Sequence, residues 1–168
     1  LTMAELNSIG LSDVTSDTHA AAIRSAIGAV GGTGVQSVTQ LKDIQTAYLK
    51  AHYTLEYMTA VLEVYYGSGR MPVLLDECRR LGIKILPPDV NRSWLTFHVE
   101  EDSIRCGLSN IKNVGHSVAQ QILDNRKHTM FRNFEDLFER LDFAKLNRRS
   151  LENLIKVGAF SEFGSKID

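Results

Sequence analysis

The stretch NIKNVG, residues 110–115, interrupts two segments that otherwise have the apolar spacing of helices. It places Asn113 and Gly115 on either side of a single apolar residue, Val114. Glycine accepts a positive φ freely and asparagine does so at modest cost, so the pair predicts a tight turn with Val114 facing inward. We therefore interpret the stretch as a specified hairpin between two helices.

A second stretch of the chain repeats this pattern. SLENLIKVG, residues 150–158, aligns without a gap with GLSNIKNVG, residues 107–115. The matching positions are Leu108, Asn110, Ile111, Val114 and Gly115 in the first copy, and Leu151, Asn153, Leu154, Val157 and Gly158 in the second. Two helix-turn units that cannot each bury an apolar face alone indicate a pair with a shared core. The sequence therefore predicts a tandem helix-hairpin-helix domain.

The first hairpin is a candidate site for a phosphate group. The first N–H groups of a helix have no partners within the helix, and the helix dipole adds partial positive charge there. We predict that the N–H groups of Gly115, His116 and Ser117 face outward. Lys112 adds a cation beside them, and Asn113 forms the turn. Such contacts hold backbone phosphates and read no bases, so binding would not depend on sequence. A turn that only packs two helices is the alternative, and the turn alone does not decide between them.

The second hairpin is the weaker candidate. Lys156 stands where the first copy has the turn-tolerant Asn113, which favours a purely structural role. The candidate phosphate contacts of this unit lie upstream, at a predicted helix start. They are Lys145, Arg148 and Arg149. Three cations more often form a solvated face, so this site is an open alternative.

Composition limits the possible functions. The 168 residues carry a net charge of −1 and are 43% hydrophobic, enough to bury the core of one domain or two small ones. Nonspecific nucleic-acid binders usually have a basic balance, so contact with a polyanion here must depend on a local arrangement. No run of about 18 apolar residues predicts a membrane span. A start at Leu1 without a secretory pattern suggests a fragment of a cytoplasmic protein.

No catalytic or metal site is predicted. Cys78 and Cys106 form no CxxC pair and fit apolar patterns, which indicates buried thiols in a reducing compartment. None of the five histidines has the spacing of a zinc ligand. The acidic run at residues 100–102 lies in a predicted hairpin turn, where we expect a solvated loop and not a metal site.

The first half of the chain is predicted to be largely helical. An Ala-, Gly- and Ser-rich segment covers residues 1–40, with a short helix at 18–30 and a glycine-rich linker. Residues 41–65 repeat apolar positions every three or four residues, which predicts one long amphipathic helix. Pro72 then suits the first turn of another helix. The predicted inner face of that helix carries Leu74, Cys78 and Leu81, and Gly82 ends it.

The second half combines a small sheet with helices. Residues 83–85 suit a short strand, and alternation at 95–99 and 103–107 predicts a β-hairpin. Two later helices begin at asparagine caps, Asn133 and Asn147. The last helix carries Leu151, Leu154 and Ile155 on its predicted inner face. The fold is thus predicted to be mainly α, divided into residues 1–40, 41–90 and 91–164.

Four segments resemble one protein family in their order and spacing. They are QTAYLKAHYTLEYM (45–58), LLDECRRLGIKILPPDVNRS (74–93), IRCGLSNIKNVG (104–115) and NRRSLENLIKVGAF (147–160). Together they are similar to the bacterial replicative DNA polymerase III alpha subunits. The resemblance is to the end of the fingers and the tandem helix-hairpin-helix domain of that family, and it covers about residues 45–164.

The resemblance implies a cytoplasmic protein of DNA replication. The family consists of DNA-directed DNA polymerases, nucleotidyltransferases that use two magnesium ions held by palm aspartates. Those aspartates lie outside the resembling segments, so we expect no catalytic residue, no cofactor and no activity of this chain alone. The family's tandem hairpins hold duplex DNA, and its longer proteins meet other replicase subunits and a sliding clamp. A structural or protein-interaction domain without DNA contact is the alternative.

Three features depart from the family pattern. The family usually has proline where Thr54 stands, so a break in the long helix is left open. Trp94 occupies a position where the family tolerates small or polar residues. Residues 1–44 do not follow the family, apart from an echo at residues 19–22.

Overall fold

A computed structural model describes residues 38–142 and 146–163 of the chain. Its contacts divide the chain into two units, Leu1–Tyr57 and Met58–Asp168. The helix and linker predicted near the amino terminus, and Lys145, lie outside the described residues. The three-part division made from the sequence stays a prediction.

The described residues contain six α-helices, three short strands and two single 3₁₀ turns. The helices are α1 (Val38–His52), α2 (Thr54–Val64), α3 (Met71–Arg80), α4 (His116–Arg126), α5 (Phe134–Arg140) and α6 (Arg148–Lys156). The strands are β1 (Lys84–Leu86), β2 (His98–Glu100) and β3 (Ser103–Arg105), and the 3₁₀ turns cover Leu108–Asn110 and Ser161–Phe163. The prediction of a mainly α fold with a small β-hairpin is confirmed.

The single long helix predicted at residues 41–65 is wrong, because the segment forms two helices. α1 ends at His52 and α2 begins at Thr54. The Oγ1 hydroxyl of Thr54 donates a hydrogen bond of 2.9 Å to the carbonyl of Lys50. A threonine hydroxyl that bonds the carbonyl four residues back competes with the main-chain N–H and bends a helix. The side chain of Thr54 thus accounts for a break without proline.

Helix α3 begins and ends where the sequence predicts. Pro72 lies in its first turn, and Gly82 follows it with a φ of 75°, a conformation in which glycine is favoured. Cys78 is buried and Leu74 half-buried. Leu81 was predicted on the same inner face, but it is 38% exposed. Leu81 is the C-cap, where the chain leaves the helix, so the helical period no longer places its side chain.

The three strands form one sheet in the order β1-β3-β2. The predicted hairpin is antiparallel, with Val99 opposite Ile104 and Glu101 at a positive φ of 53° in the turn. Strand β1 pairs with β3 in parallel, with Ile85 opposite Ile104. The sequence predicted each strand but not this parallel pairing, because pairing joins segments that are far apart in the chain.

The two copies of the repeat contribute to one hydrophobic core. Ile111 and Leu154 hold matching positions, and they are 5% and 1% exposed. The prediction of a shared core is therefore confirmed. Ile155 was predicted on the buried face of α6, but it is 54% exposed. The buried stripe of α6 runs through Ser150 and Leu154, and a neighbouring position lies about 100° further round the helix.

Both predicted asparagine caps are confirmed. The side chain of Asn133 accepts a hydrogen bond from the N–H of Asp136 at the start of α5. The side chain of Asn147 accepts one from the N–H of Ser150 at the start of α6. Each bond satisfies one N–H group that the helix itself leaves open.

The loop that follows β1 contains three buried polar side chains, Asp89, Asn91 and Ser93. The carboxylate of Asp89 accepts hydrogen bonds from the N–H groups of Asn91 and Arg92 at 2.7 and 3.0 Å. The hydroxyl of Ser93 accepts from the N–H of Asp89 and donates to the carbonyl of Cys106 at 2.7 Å. The loop therefore has its own hydrogen-bonded shape and is fixed to the end of β3.

Two further side chains join this loop to the helices. The amide of Asn91 donates to the carbonyl of Phe131 and accepts from its N–H, each at 2.8 Å. The guanidinium of Arg126, in the last turn of α4, donates to the carbonyls of Val90 and Ser93. These bonds fix the carboxyl end of α4 and the approach to α5 against the loop.

The prediction that the acidic run at residues 100–102 is a solvated loop is wrong for Glu100. This residue ends β2, and its carboxylate accepts hydrogen bonds from Arg105, whose side chain is 8% exposed, and from Arg92 at 3.0 Å. The hydrogen bonds from Arg105, together with the charges of both arginines, lower the pKa of Glu100 to about 2. Glu101 and Asp102 are exposed, as expected for a turn.

We predict that Asn91→Ala lowers the free energy of unfolding by about 2–4 kcal/mol, because it leaves two buried main-chain groups of Phe131 unpaired. Urea denaturation measures this loss. The matched control is Asn153→Ala, which removes one exposed bond to the carbonyl of Arg149 and should cost less than about 1 kcal/mol. Equal losses for the two variants would contradict the role given to Asn91.

We also predict an acid-sensitive contribution to stability from Glu100. Because its pKa falls from the usual 4.5 to about 2 on folding, the contribution is complete above pH 4.5 and is lost as the pH falls towards 2. Glu100→Gln should therefore reduce the free energy of unfolding at pH 7 and flatten its decline between pH 4.5 and 2. Glu101→Gln is the control, and its acid profile should follow that of the wild-type protein.

Candidate nucleic-acid interface

The first hairpin begins from the sheet and not from a full helix. After β3, the residues Leu108–Asn110 form only a single 3₁₀ turn, so the helix predicted before NIKNVG is wrong. Residues 103–105 belong to β3, which pairs with a strand on each side, so they are not free to form a helix before the turn. The N–H groups of Leu108 and Ser109 donate to the carbonyls of Trp94 and Leu95, each at 2.9 Å. The indole of Trp94 is 65% exposed.

Within the hairpin, Asn113 takes the left-handed conformation and Gly115 does not. The φ of Asn113 is 64°, whereas the φ of Gly115 is −73°. The expectation that both residues need a positive φ is therefore wrong for Gly115. Apart from Gly115 itself and its two neighbours in the chain, no described atom lies within 4 Å of the place where a Cβ on Gly115 would stand. Neither the backbone nor the packing of the described residues requires glycine at this position.

Helix α4 begins with open N–H groups. Gly115 is its N-cap residue, and no side chain caps the helix. The N–H groups of Gly115, His116 and Ser117 have no acceptor among the described residues, and all three residues are exposed. An anion at this point would accept hydrogen bonds from them and meet the positive end of the helix dipole.

The tertiary structure brings the start of α6 to the same hairpin. The hydroxyl of Ser150 donates a hydrogen bond of 2.6 Å to the carbonyl of Asn113, although the two residues are 37 positions apart. Arg148 and Arg149 directly precede Ser150 and are exposed. Sequence reasoning placed these arginines with the second hairpin and missed their link to the first, since a serine in a first helical turn carries no signal of a distant partner.

The cations of this surface differ in how they are held. Arg148 forms an exposed ion pair with Glu152 at 2.8 Å, and this pair lowers the pKa of Glu152. Exposed pairs of this kind contribute little to stability, so Arg148 can exchange Glu152 for a phosphate at small cost. Lys112 and Arg149 are exposed, and neither has an ion-pair partner within residues 38–142 and 146–163.

The second hairpin is closed by its own hydrogen bonds. Gly158 has a φ of 74°, and its N–H donates to the carbonyl of Ile155 at 3.0 Å. The N–H of Ala159 donates to Leu154, and that of Ser161 donates back to Gly158. This arrangement ends α6 as a glycine C-cap. The structure therefore supports the structural role that the sequence favoured for this turn.

The described residues hold no group of three His, Cys, Asp or Glu side chains that could bind a metal ion. Burial raises the pKa of the Cys106 thiol to about 11 and also raises that of Cys78, so neither is an activated nucleophile. None of the helices in the described part of the chain is long and apolar enough to cross a membrane.

Comparison with known proteins identifies the class of this domain. Residues 82–167 match the family model of the helix-hairpin-helix motif, a range that begins just before β1 and includes both copies of the repeat. The chain belongs to the helix-hairpin-helix motif family.

Its relatives specify the kind of protein in which this version of the domain occurs. The chain is 43% identical to the DNA polymerase III subunit alpha of Thermus aquaticus over 128 residues. This aligned stretch covers 75% of this chain and 10% of the relative. It is 46% identical over 127 residues to the subunit of Escherichia coli K12, and the alignment covers 74% of this chain and 11% of that relative. It is 40% identical over 125 residues to the subunit of Campylobacter jejuni, and the alignment covers 71% of this chain and 10% of that relative. The resemblance stated from the sequence is confirmed. The chain spans about a tenth of the length of these curated relatives.

The two repeat glycines should respond differently to alanine. We predict that Gly115→Ala changes the free energy of unfolding by less than about 0.5 kcal/mol, because a weaker N-cap and a less flexible unfolded chain offset each other. Gly158→Ala should cost about 1–2 kcal/mol, because alanine is strained at a positive φ. Denaturant unfolding of the two variants measures the difference, and equal losses would show that the fold itself requires Gly115.

Proposed function

We propose that this chain is a duplex DNA-binding part of a replicative DNA polymerase, and that it binds the sugar–phosphate backbone without reading the bases. The observation that carries the proposal is the open start of α4. There, the N–H groups of the exposed residues 115–117 have no acceptor among the described residues, and the first of these residues is a glycine that the described structure does not require. A site without a side chain lets a phosphate approach the main chain directly.

The proposed interface combines the helix end with a few cations. Lys112 lies in the hairpin, and Arg149 lies at the start of α6, which Ser150 holds against Asn113. Phosphate contacts of this kind position a duplex and carry no sequence information. The main-chain N–H groups allow a chain of net charge −1 to bind a polyanion without a large basic face.

The proposal also covers the catalysis and the partners of the polymerase to which this chain would belong. Nucleotidyl transfer, its magnesium ions, and contacts with replicase subunits and a sliding clamp would belong to regions outside this chain. In that proposal the chain is a cytoplasmic, inactive part of the polymerase that holds duplex DNA during replication. Its affinity should have a modest salt dependence, because the interface neutralises few phosphates and each contributes about −0.9 to the logarithmic slope.

Fluorescence anisotropy with a labelled duplex tests this proposal on the full 168-residue chain. Lys112→Glu should weaken binding by about five- to tenfold at low salt, because it replaces attraction to a phosphate by repulsion. Its melting temperature should stay unchanged, because Lys112 is exposed. Gly115→Val should also weaken binding, because its side chain covers the open N–H groups while its extended φ stays allowed.

The matched control is Lys84→Glu, which makes the same charge change at an exposed position in β1. It should leave affinity close to that of the wild-type chain. If all three variants bind alike, the first hairpin is not the contact. If the wild-type chain shows no binding to duplex at low salt, the structural alternative for the domain is favoured.

A further inference from the structure

Residues at the end of α2 and just after it form hydrogen bonds with the start of the hairpin. Asn110 directly precedes the turn and is 7% exposed. The hydroxyl of Tyr66 donates a hydrogen bond to the main-chain carbonyl of Asn110. The carboxylate of Glu63 accepts from the Nδ2 of Asn110 at 3.4 Å and from the N–H of Phe97 at 3.3 Å. The first residue of the hairpin is thus held through both its main chain and its side chain.

We propose that Tyr66 and Glu63 are positioning residues for DNA binding, which hold Asn110 so that the N–H groups at the start of α4 keep the geometry a phosphate requires. The inference rests on the function proposed above for the first hairpin. Neither residue touches the proposed phosphate site, so both act through Asn110.

The main-chain carbonyl of Asn110 accepts no main-chain hydrogen bond from the described residues of the hairpin. In the hairpin, the N–H of Ile111 donates to Leu108 and the N–H of Val114 donates to Ile111, so neither bond uses this carbonyl. A buried carbonyl without a donor is costly. If Tyr66 did not supply the donor, an N–H of the turn could do so by extending the 3₁₀ turn that covers Leu108–Asn110. That change would move Asn113 and the residues that follow it.

The surroundings of Tyr66 suit this role. Its ring packs edge-on against that of Phe97, with 6.0 Å between the centroids, and Phe97 is 7% exposed. Tyr66 is 43% exposed, and its partial burial, with the nearby Cys106 and Glu63, raises the pKa of the hydroxyl above its usual value of 10. The hydroxyl therefore stays protonated and remains a donor at neutral pH.

Tyr66→Phe tests the proposal, because it removes the hydroxyl and keeps the ring against Phe97. Tyr65→Phe is the matched control, since the hydroxyl of Tyr65 makes no hydrogen bond to the described residues while its ring contacts Arg70. Duplex affinity of the full chain is measured by anisotropy, and amide hydrogen exchange is measured at residues 111–117. Tyr66→Phe should weaken binding about fivefold, as expected for loss of one hydrogen bond, and speed exchange in this segment. Tyr65→Phe should do neither.

Variants of Glu63 give a second measurement if Tyr66→Phe lowers the melting temperature. Glu63→Gln keeps an oxygen that can accept from Asn110 and Phe97, so it should bind duplex within about twofold of the wild type. Glu63→Leu removes the oxygen that accepts both bonds and should weaken binding like Tyr66→Phe. This rescue by the conservative variant would not be expected from a general loss of packing.

The outcomes separate the two proposals. If Lys112→Glu weakens binding but Tyr66→Phe and Glu63→Leu bind like Tyr65→Phe, the positioning role is overturned and the DNA-binding hairpin stands. If the wild-type chain does not bind duplex, both proposals fall. Faster exchange at residues 111–117 together with weaker binding, in Tyr66→Phe alone of the tyrosine pair, supports the positioning role.

Discussion

The arrangement of the helical region depends on the hydrogen-bonded loop at residues 87–93, in which Asp89, Asn91 and Ser93 are buried and to which Arg126 donates from α4. Polar groups removed from water must find partners, and here the partners are main-chain groups that no helix or strand uses. Burial lowers the pKa of Arg126, an effect that Asp89 opposes, and its guanidinium donates hydrogen bonds to two loop carbonyls. Because Arg126 lies in the last turn of α4, the loop fixes one end of the helix whose other end is the proposed phosphate site.

The two copies of the repeat show that one sequence pattern can end in two different structures. Gly115 precedes a helix in extended conformation, and Gly158 follows a helix at a positive φ of 74°. The same difference appears in the valines that precede them, since Val114 is 4% exposed and Val157 is 39% exposed. The apolar positions that form the shared core are retained, whereas the glycines have separate roles: one leaves N–H groups open and the other closes them.

The open helix end also explains how a chain with almost no net charge could bind a polyanion. Main-chain N–H groups contribute partial positive charge without adding to the formal charge of the chain. The exposed side chains around them add only a few cations, one of which, Arg148, is partly neutralised by Glu152. Binding through such a surface depends on the exact placement of the hairpin. This dependence gives the contacts of Tyr66 and Ser150 with the hairpin their importance.

The sequence by itself determined the features that depend on neighbouring residues. Apolar spacing, the caps at Asn133 and Asn147, and the stop at Gly82 act within one or two turns, so they could be predicted. The resemblance to the polymerase family could also be identified from contiguous segments. Only the tertiary structure decided the parallel pairing of β1 with β3, the single 3₁₀ turn before the hairpin, and the bonds that bring Ser150 and Tyr66 to it. These features join residues far apart in the chain, and a hydrogen bond between distant groups leaves no periodic signal in the sequence.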